Sequence, residues 1–130
     1  MSGGGVCKIL DDMQDLYPKL LAADAWVMGT PVYFDMISGL LKKFMDRTCP
    51  VWPKLAGKPL AGKPLAGVAV AEEAIGKAVS NIKTYADLCK MPWVGSVSGL
   101  AKGAGEISGN RDVSRRLNRL ALKLVRAAQG

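Results

Sequence analysis

Apolar side chains recur along this chain with two different spacings. Three short runs are apolar at nearly every position, which is typical of parallel strands that are covered on both faces. These runs are residues 25–29, 65–71 and 93–97. Four other segments repeat their apolar residues every three or four positions, and this spacing predicts amphipathic helices. They are residues 11–21, 37–47, 75–89 and a stretch that begins near residue 111.

The order of these elements is a helix followed by three strand–helix pairs. Such alternation predicts a parallel sheet with helices on its faces, joined by right-handed crossovers. A chain of 130 residues fits one domain of this kind. The side chains expected to face the core in the second and last helices are Ile37, Leu40, Leu41, Phe44, Met45, Val113, Leu117, Leu120 and Leu124.

Two proline-containing segments are expected to interrupt regular structure. Pro18 lies inside the first helical segment, so we expect one piece that ends near Tyr17 and another that begins at Pro18. The pentapeptide Leu-Ala-Gly-Lys-Pro occurs at 55–59 and again at 60–64. Because each copy contains Gly and Pro, we interpret the repeat as a lengthened surface loop, and favour a duplication without function over a binding role.

A candidate ligand site lies just after the first strand, because open parallel sheets bind ligands beyond the carboxyl ends of their strands. Pro31 has a fixed φ and no N–H, so we expect it to end the strand sharply and to leave Thr30 extended. The amides of residues 32–34 would then be free to face a ligand. Asp35 can cap the helix that follows.

Two aromatic side chains in the same turn, Tyr33 and Phe34, offer surface suited to a flat ring. The alternative interpretation is that the two rings only close the end of the core. The residues by themselves leave both interpretations open.

Composition narrows the chemistry of such a site. The chain has no histidine, which excludes a Ser-His-Asp or Cys-His nucleophile and a histidine-bound metal, but leaves cofactor-based hydride transfer open. The three cysteines, Cys7, Cys49 and Cys89, are too far apart for a self-contained zinc or iron–sulfur site. Their odd number, together with the absence of a secretory pattern and of a membrane-spanning run, favours a cytoplasmic location.

The net charge of +7 is concentrated towards the end of the chain. Basic residues follow one another at i+4 spacing on the last predicted helix, at Arg111, Arg115, Arg119 and Lys123, with Arg116 and Arg126 beside them. Nucleic acid could bind such a stripe, but a solvated helix face is the favoured interpretation. No aromatic residue is interleaved to stack on single-stranded bases.

Two motifs resemble a known family. Gly29–Phe34 followed by Ser38–Arg47 is similar to the pattern G-[ST]-P-V-Y and S-x-x-L-K-x-[FL]-[IM]-D-R of the NADPH-dependent FMN reductase and iron–sulfur flavoprotein family. The resemblance is specific from about Gly5 to Thr48 and weaker from Leu65 onward.

The resemblance implies a flavodoxin-like three-layer sandwich that binds FMN at the ends of its parallel strands. It implies that residues Thr30, Pro31, Val32, Tyr33 and Phe34 line the isoalloxazine ring, and that Ala71 and Glu72 approach the ring's other edge. It also implies hydride transfer from NAD(P)H through flavin N5, with no protein residue acting as a catalytic acid or base. For Asp46 and Arg47, a structural ion pair or a dimer contact is favoured over a catalytic role.

The chain also departs from the family pattern. The family's first strand, its phosphate-binding loop and its second strand have no counterpart here, so we expect a truncated sheet of about three strands in one domain, residues 1–130. Strand 25–29 would then be an edge that pairs with another chain, which predicts a homo-oligomer such as a C2 dimer. Cys7 corresponds to one cysteine of the family's cluster, but one thiolate cannot hold a cluster, so none is expected.

Two functions follow from these observations. The first is an FMN-binding, NAD(P)H-dependent oxidoreductase of the flavin reductase type. The alternative is a non-catalytic subunit that associates through its exposed sheet edge. Flavin and nicotinamide nucleotide are the expected partners, and a membrane is not.

Overall fold

The computed structural model describes residues 8–52 and 60–130. The helices in this part of the chain are α1 (Met13–Ala22), α2 (Gly39–Arg47), α3 (Ala78–Leu88) and α4 (Arg111–Gln129). The strands are β1 (Trp26–Tyr33), β2 (Met36–Ile37), β3 (Leu65–Ala71) and β4 (Trp93–Leu100). Two short 3-10 turns lie at Cys49–Val51 and Glu106–Gly109.

The strands form one sheet in the order β2-β1-β3-β4. β1, β3 and β4 are parallel, and the two-residue β2 pairs antiparallel with the end of β1. The predicted α/β sandwich with a parallel sheet is therefore confirmed. The additional strand β2 was not predicted, because two residues are too few to produce a periodic pattern.

β1 does not end at Pro31, and that prediction was wrong. The strand continues to Tyr33, and Pro31 lies in register with Val70 of β3. Proline is tolerated in edge strands, where its missing N–H removes no ladder bond. Trp26–Pro31 pair only with β3 among the described residues, so β1 offers such an edge.

α1 is also unbroken, although Pro18 lies inside it. One missing N–H removes one hydrogen bond from a helix that tertiary contacts hold on either side of Pro18. The Tyr17 hydroxyl donates to the carbonyl of Arg47 at 2.6 Å, and the Trp26 indole N–H donates to the carbonyl of Leu20 at 3.1 Å. The predicted break between Tyr17 and Pro18 was therefore wrong.

Two cores lie on opposite faces of the sheet. The larger core packs α2 and α3 against the sheet around Trp26, Met28, Met45 and Ile82. The smaller core packs α4 against β3 and β4, with the following buried residues: Ala66, Val97, Val113, Leu120 and Leu124. This division places α4 alone on its side of the sheet in the described part of the chain.

The single helix on that side leaves part of the sheet uncovered. Side chains of β1 alternate between buried and exposed, and Val27 is 57% exposed, so the prediction that this strand is covered on both faces was wrong. Leu117 of α4 and Leu40 of α2 were expected to be buried, but they are 39% and 80% exposed. Helical spacing identifies an apolar face, but it does not indicate whether another element packs against that face.

The duplicated pentapeptide is only partly described, since its first copy, residues 55–59, lies outside the described residues. In the second copy Leu60 is fully buried in the larger core, so the interpretation as a surface loop was wrong for this residue. The Lys63 ammonium donates to the carbonyl of Ala23 at 2.8 Å, and the Gly62 N–H donates to the carbonyl of Lys90 at 3.0 Å. The second copy therefore packs against the rest of the structure and leads directly into β3.

Candidate flavin site at the carboxyl edge of the sheet

β1 and β2 are joined by a two-residue hairpin turn. Its two residues, Phe34 and Asp35, both have positive φ, at 50° and 62°, and Tyr33 pairs with Met36 across the turn. This is the backbone of a type I′ turn, which normally carries Asn or Gly. A phenylalanine in a left-handed conformation is uncommon, and such residues persist only where surrounding contacts hold them.

The turn after β3 supplies those contacts. The Lys77 N–H donates to the carbonyl of Asp35 at 2.5 Å. Gly76 has a φ of +52°, and a Cβ at that position would lie 2.6 Å from the Cα and the carbonyl oxygen of Asp35. The two turns therefore touch at the carboxyl edge of the sheet.

Thr30 fixes the other end of the hairpin. It is buried, and its hydroxyl oxygen accepts the N–H of Ser38 at 3.0 Å while donating to the carbonyl of Pro31 at 2.6 Å. Ser38 in turn accepts the N–H of Leu41 at 3.2 Å and is the cap of α2. The expectation that Asp35 caps this helix was wrong, because Asp35 lies in the hairpin turn and Ser38 is the cap. Thr30 thus connects the end of the hairpin to the start of α2.

The two aromatic residues extend from the hairpin into solvent. Tyr33 is 61% exposed and Phe34 is 96% exposed, so the alternative that their rings close the end of the core is wrong. Val32 and Tyr33 belong to the ladder with β2, so a row of three free amides after a terminated strand is not present. What the hairpin does present is aromatic surface.

The predicted residues after β3 lie at the same edge. Ala71 is the last residue of β3 and is buried, and its carbonyl accepts the N–H of Ala101 at 2.9 Å. Glu72 follows it and is exposed. Since Pro31 is level with Val70, the sheet brings the end of β1 and the end of β3 side by side.

Asp46 and Arg47 are both paired, but with different partners. The Lys42 ammonium lies 2.6 Å from Asp46, one helical turn away. The Arg47 guanidinium contacts the Asp11 carboxylate with both terminal nitrogens, with Nη2 at 2.8 Å. That hydrogen bond lowers the pKa of Asp11, despite some desolvation, and it ties the start of α1 to the end of α2.

The described residues contain no group of three or more His, Cys, Asp or Glu side chains that could hold a metal ion. Cys89 is a free thiol, and Cys7 lies outside the described residues. Burial raises the pKa of Cys89 and also that of Tyr85, whose hydroxyl lies 2.7 Å from that of Thr48. No helix in the described ranges is long and apolar enough to cross a bilayer.

The layered parallel sheet, with exposed aromatic residues at its carboxyl edge, places the chain in the flavodoxin-like class of α/β folds. The sequence model of one family, the NADPH-dependent FMN reductases, matches residues 2–105. The chain therefore belongs to this family.

Individual relatives are consistent with this assignment. The chain is 43% identical over 47 residues to an iron–sulfur flavoprotein of Methanocaldococcus jannaschii, a match that covers 36% of this chain and 24% of the relative. It thus spans about a quarter of the length of that curated relative.

Solved structures share the fold at lower identity. A flavodoxin, WrbA-like protein from Agrobacterium tumefaciens is 21% identical, with a TM-score of 0.72 over 89% of this chain and 73% of that one. General stress protein 14 from Treponema denticola, in complex with FMN, is 18% identical, with a TM-score of 0.67 over 88% of this chain and 74% of that one.

Three residues that build the site were not identified from the sequence. Ser38 had a local signal, a serine directly before the start of an amphipathic helix. Gly76 had a weaker one, a glycine between a strand and a helix. The role of Asp35 as a hairpin residue had no clear signal, since Phe-Asp is not a usual type I′ pair.

Proposed function

We propose that this chain is an FMN-binding, NAD(P)H-dependent oxidoreductase of the flavin reductase type. The observation that carries the proposal is the exposed pair Tyr33 and Phe34 on a hairpin that the Gly76 turn holds in place at the carboxyl edge of the sheet. Aromatic side chains in a fixed backbone are suited to a flat heteroaromatic ring.

The ring half of FMN fits the residues present. Tyr33 and Phe34 would contact the ring, the backbone of Pro31 and Val32 would line it, and Glu72 would approach from the turn after β3. Thr30 and Ala71 are buried, so they would position these groups without presenting their side chains. When bound there, FMN would supply the hydride-transfer chemistry of an NAD(P)H-dependent reductase, and these residues would hold and orient its ring.

Titration of FMN with the protein tests the site directly, with flavin fluorescence and the visible absorption spectrum as readouts. Tyr33→Ala and Phe34→Ala should each weaken binding about tenfold, as expected for the loss of about 1–1.5 kcal/mol of ring contact. Leu122→Ala is the matched control, since Leu122 is an exposed apolar residue of α4 (60% exposed). A spectrum of FMN that the protein leaves unchanged would exclude a flavin site.

Reductase activity is a separate measurement. FMN-loaded protein should oxidise NADH or NADPH, followed by the loss of nicotinamide absorbance, in the presence of an artificial electron acceptor. If FMN binds without such oxidation, the proposed flavin site stands but the proposed enzymatic activity is rejected.

A second candidate function is a non-catalytic subunit that associates through the free edge of β1. Among the described residues, Trp26–Pro31 pair with β3 on one side only, and Val27 within this segment is 57% exposed. Unpaired strand edges are templates for another chain. A protein that stays colourless after incubation with FMN and desalting, yet forms a stable complex that a charged substitution at Val27 abolishes, would favour this alternative.

A further inference from the structure

A cleft of about 190 Å³ lies between the middle of α4 and the outer edge of β4. β4 is the last strand of the sheet on this side, and among the described residues it pairs only with β3. The strand contributes Gly95 and Ser96 to the cleft, and the helix contributes Arg116, Arg119 and Lys123. The basic residues of α4 are therefore not equivalent, because three of them line a shared cavity.

These three cations share the cleft with no acidic residue. Their spacing of i, i+3 and i+7 places them on one face of α4. None of the residues that line the cleft is Asp or Glu. Among the described residues, neither Arg119 nor Lys123 forms an ion pair. The cleft therefore carries positive charge that this part of the chain does not neutralise.

Arg116 is held in a fixed position beside the other two cations. Its Nη1 lies 3.4 Å from the carboxylate of Asp112, and its Nη2 donates to the carbonyl of Ser98. Because Ser98 belongs to β4, the guanidinium is fixed against the strand that forms one wall of the cleft. A group held in this way loses little freedom when a ligand binds.

The absence of neutralising partners sets α4 apart from the other helices. Both α2 and α3 pair a lysine with an aspartate one turn later, at 2.6 and 2.8 Å. Residues 113–130 contain five basic residues and no acidic one. Like charges at i and i+4, such as Arg119 and Lys123, destabilise a helix. An anion bound between them would remove this repulsion.

The cleft has the charge and the space for a phosphate group. Phosphate on an ester carries about −1.5 to −2 charges near neutral pH, which two unpaired cations match. A guanidinium binds phosphate through two parallel hydrogen bonds, and an ammonium binds it as a point charge. A Cβ at Gly95 would lie 3.5 Å from Cδ1 of Leu120, which also lines the cleft, so the missing side chain leaves room there.

We propose that this cleft binds the phosphate group of a small molecule, held by Arg119 and Lys123 beside the fixed guanidinium of Arg116. Residues 94–97 of β4 form its strand wall, in the amino-terminal half of the strand, whereas the candidate flavin site lies at the carboxyl edge of the sheet. The phosphate site is therefore separate from the proposed flavin site and does not depend on it.

Isothermal titration calorimetry at low ionic strength tests the site with inorganic phosphate and with adenosine monophosphate. Arg119→Gln and Lys123→Gln should each raise the dissociation constant about tenfold, because each removes a charge-assisted contact. Arg126→Gln is the matched control, since it removes the same charge from an exposed position of α4 that does not line the cleft. That control should change the dissociation constant by less than about threefold.

The two probes distinguish the source of the phosphate. Tighter binding of adenosine monophosphate would identify a phosphate ester as the ligand, and equal binding would identify free phosphate. Circular dichroism should show that each variant is folded. FMN titrations of the variants should match the wild type, so a failure of the flavin site and a failure of the phosphate site are separate results.

Three results would overturn the proposal. The first is the absence of binding heat with both probes. The second is an equal loss of affinity in all three variants, which would show that the cleft adds nothing to the general charge of the helix. The third is binding of a short oligothymidine that is far tighter than that of either probe and equally weakened by all three substitutions, which would indicate a nucleic-acid surface along α4.

Discussion

Gly76 lies directly against Asp35, so that a Cβ at position 76 would come within 2.6 Å of the Cα and carbonyl oxygen of Asp35. The two residues belong to the turns that follow two neighbouring parallel strands, β3 and β1. Their contact is possible because residue 76 has no side chain and adopts a φ of +52°. It holds the hairpin that presents Tyr33 and Phe34.

Gly76→Ala should destabilise the protein and weaken FMN binding together. The new methyl group would be forced against backbone atoms that cannot rotate away, and the left-handed conformation adds about 1–2 kcal/mol of strain. Gly105→Ala is the matched control, because Gly105 also has positive φ, at 83°, but a Cβ there would meet no atom within 4 Å. In urea titrations, Gly76→Ala should lose about 1–3 kcal/mol more stability than Gly105→Ala. Equal losses would show that the contact with Asp35 is not tight.

Thr30→Val should destabilise the start of α2. Valine keeps the shape of threonine but leaves the Ser38 N–H without its acceptor at a buried position, which costs about 1–3 kcal/mol. Thr84→Val provides the comparison, since the Thr84 hydroxyl bonds the carbonyl of Ser80 on an exposed helix face. That control should change the unfolding free energy by no more than about 0.5 kcal/mol. If the two variants unfold at the same urea concentration, Thr30 does not anchor the hairpin.

The ion pair between Asp11 and Arg47 should make stability depend on acid pH. The hydrogen bond from Arg47 lowers the pKa of Asp11 in the folded protein, so its contribution is complete above the unfolded pKa, about 3.9, and is lost as pH falls through the lower folded pKa. The difference in melting temperature between wild type and Asp11→Asn should therefore be constant above about pH 5 and shrink below it. A difference that grows on acidification would have the wrong sign.

The thiol of Cys89 should react slowly in the native protein. It is 2% exposed, and burial raises its pKa, so both access and the thiolate fraction are reduced. Peptide mapping after iodoacetamide treatment at neutral pH should show little modification of Cys89 in the native protein. In urea the same thiol should be modified completely. Rapid native modification of Cys89 would mean that the core around α3 opens readily.

Local patterns in the chain determined most of the elements. β3 was predicted at residues 65–71 and lies there, and α4 begins at the predicted Arg111. An uninterrupted apolar run between a proline and two glutamates, and an apolar stripe with a polar opposite face, each depend on neighbouring residues, so the sequence is sufficient for them. The same local information located the candidate site at the end of the first strand.

Contacts between distant segments decided the rest. Pro18 remains in a helix and Pro31 in a strand because other parts of the chain fix their surroundings, which local preference cannot anticipate. Leu60 is buried and Val27 is exposed for the same reason: burial depends on which element packs above a residue, and the periodicity of a sequence contains no information about that neighbour. The meeting of Gly76 with Asp35 likewise arises only when parallel pairing brings the ends of β1 and β3 to one edge.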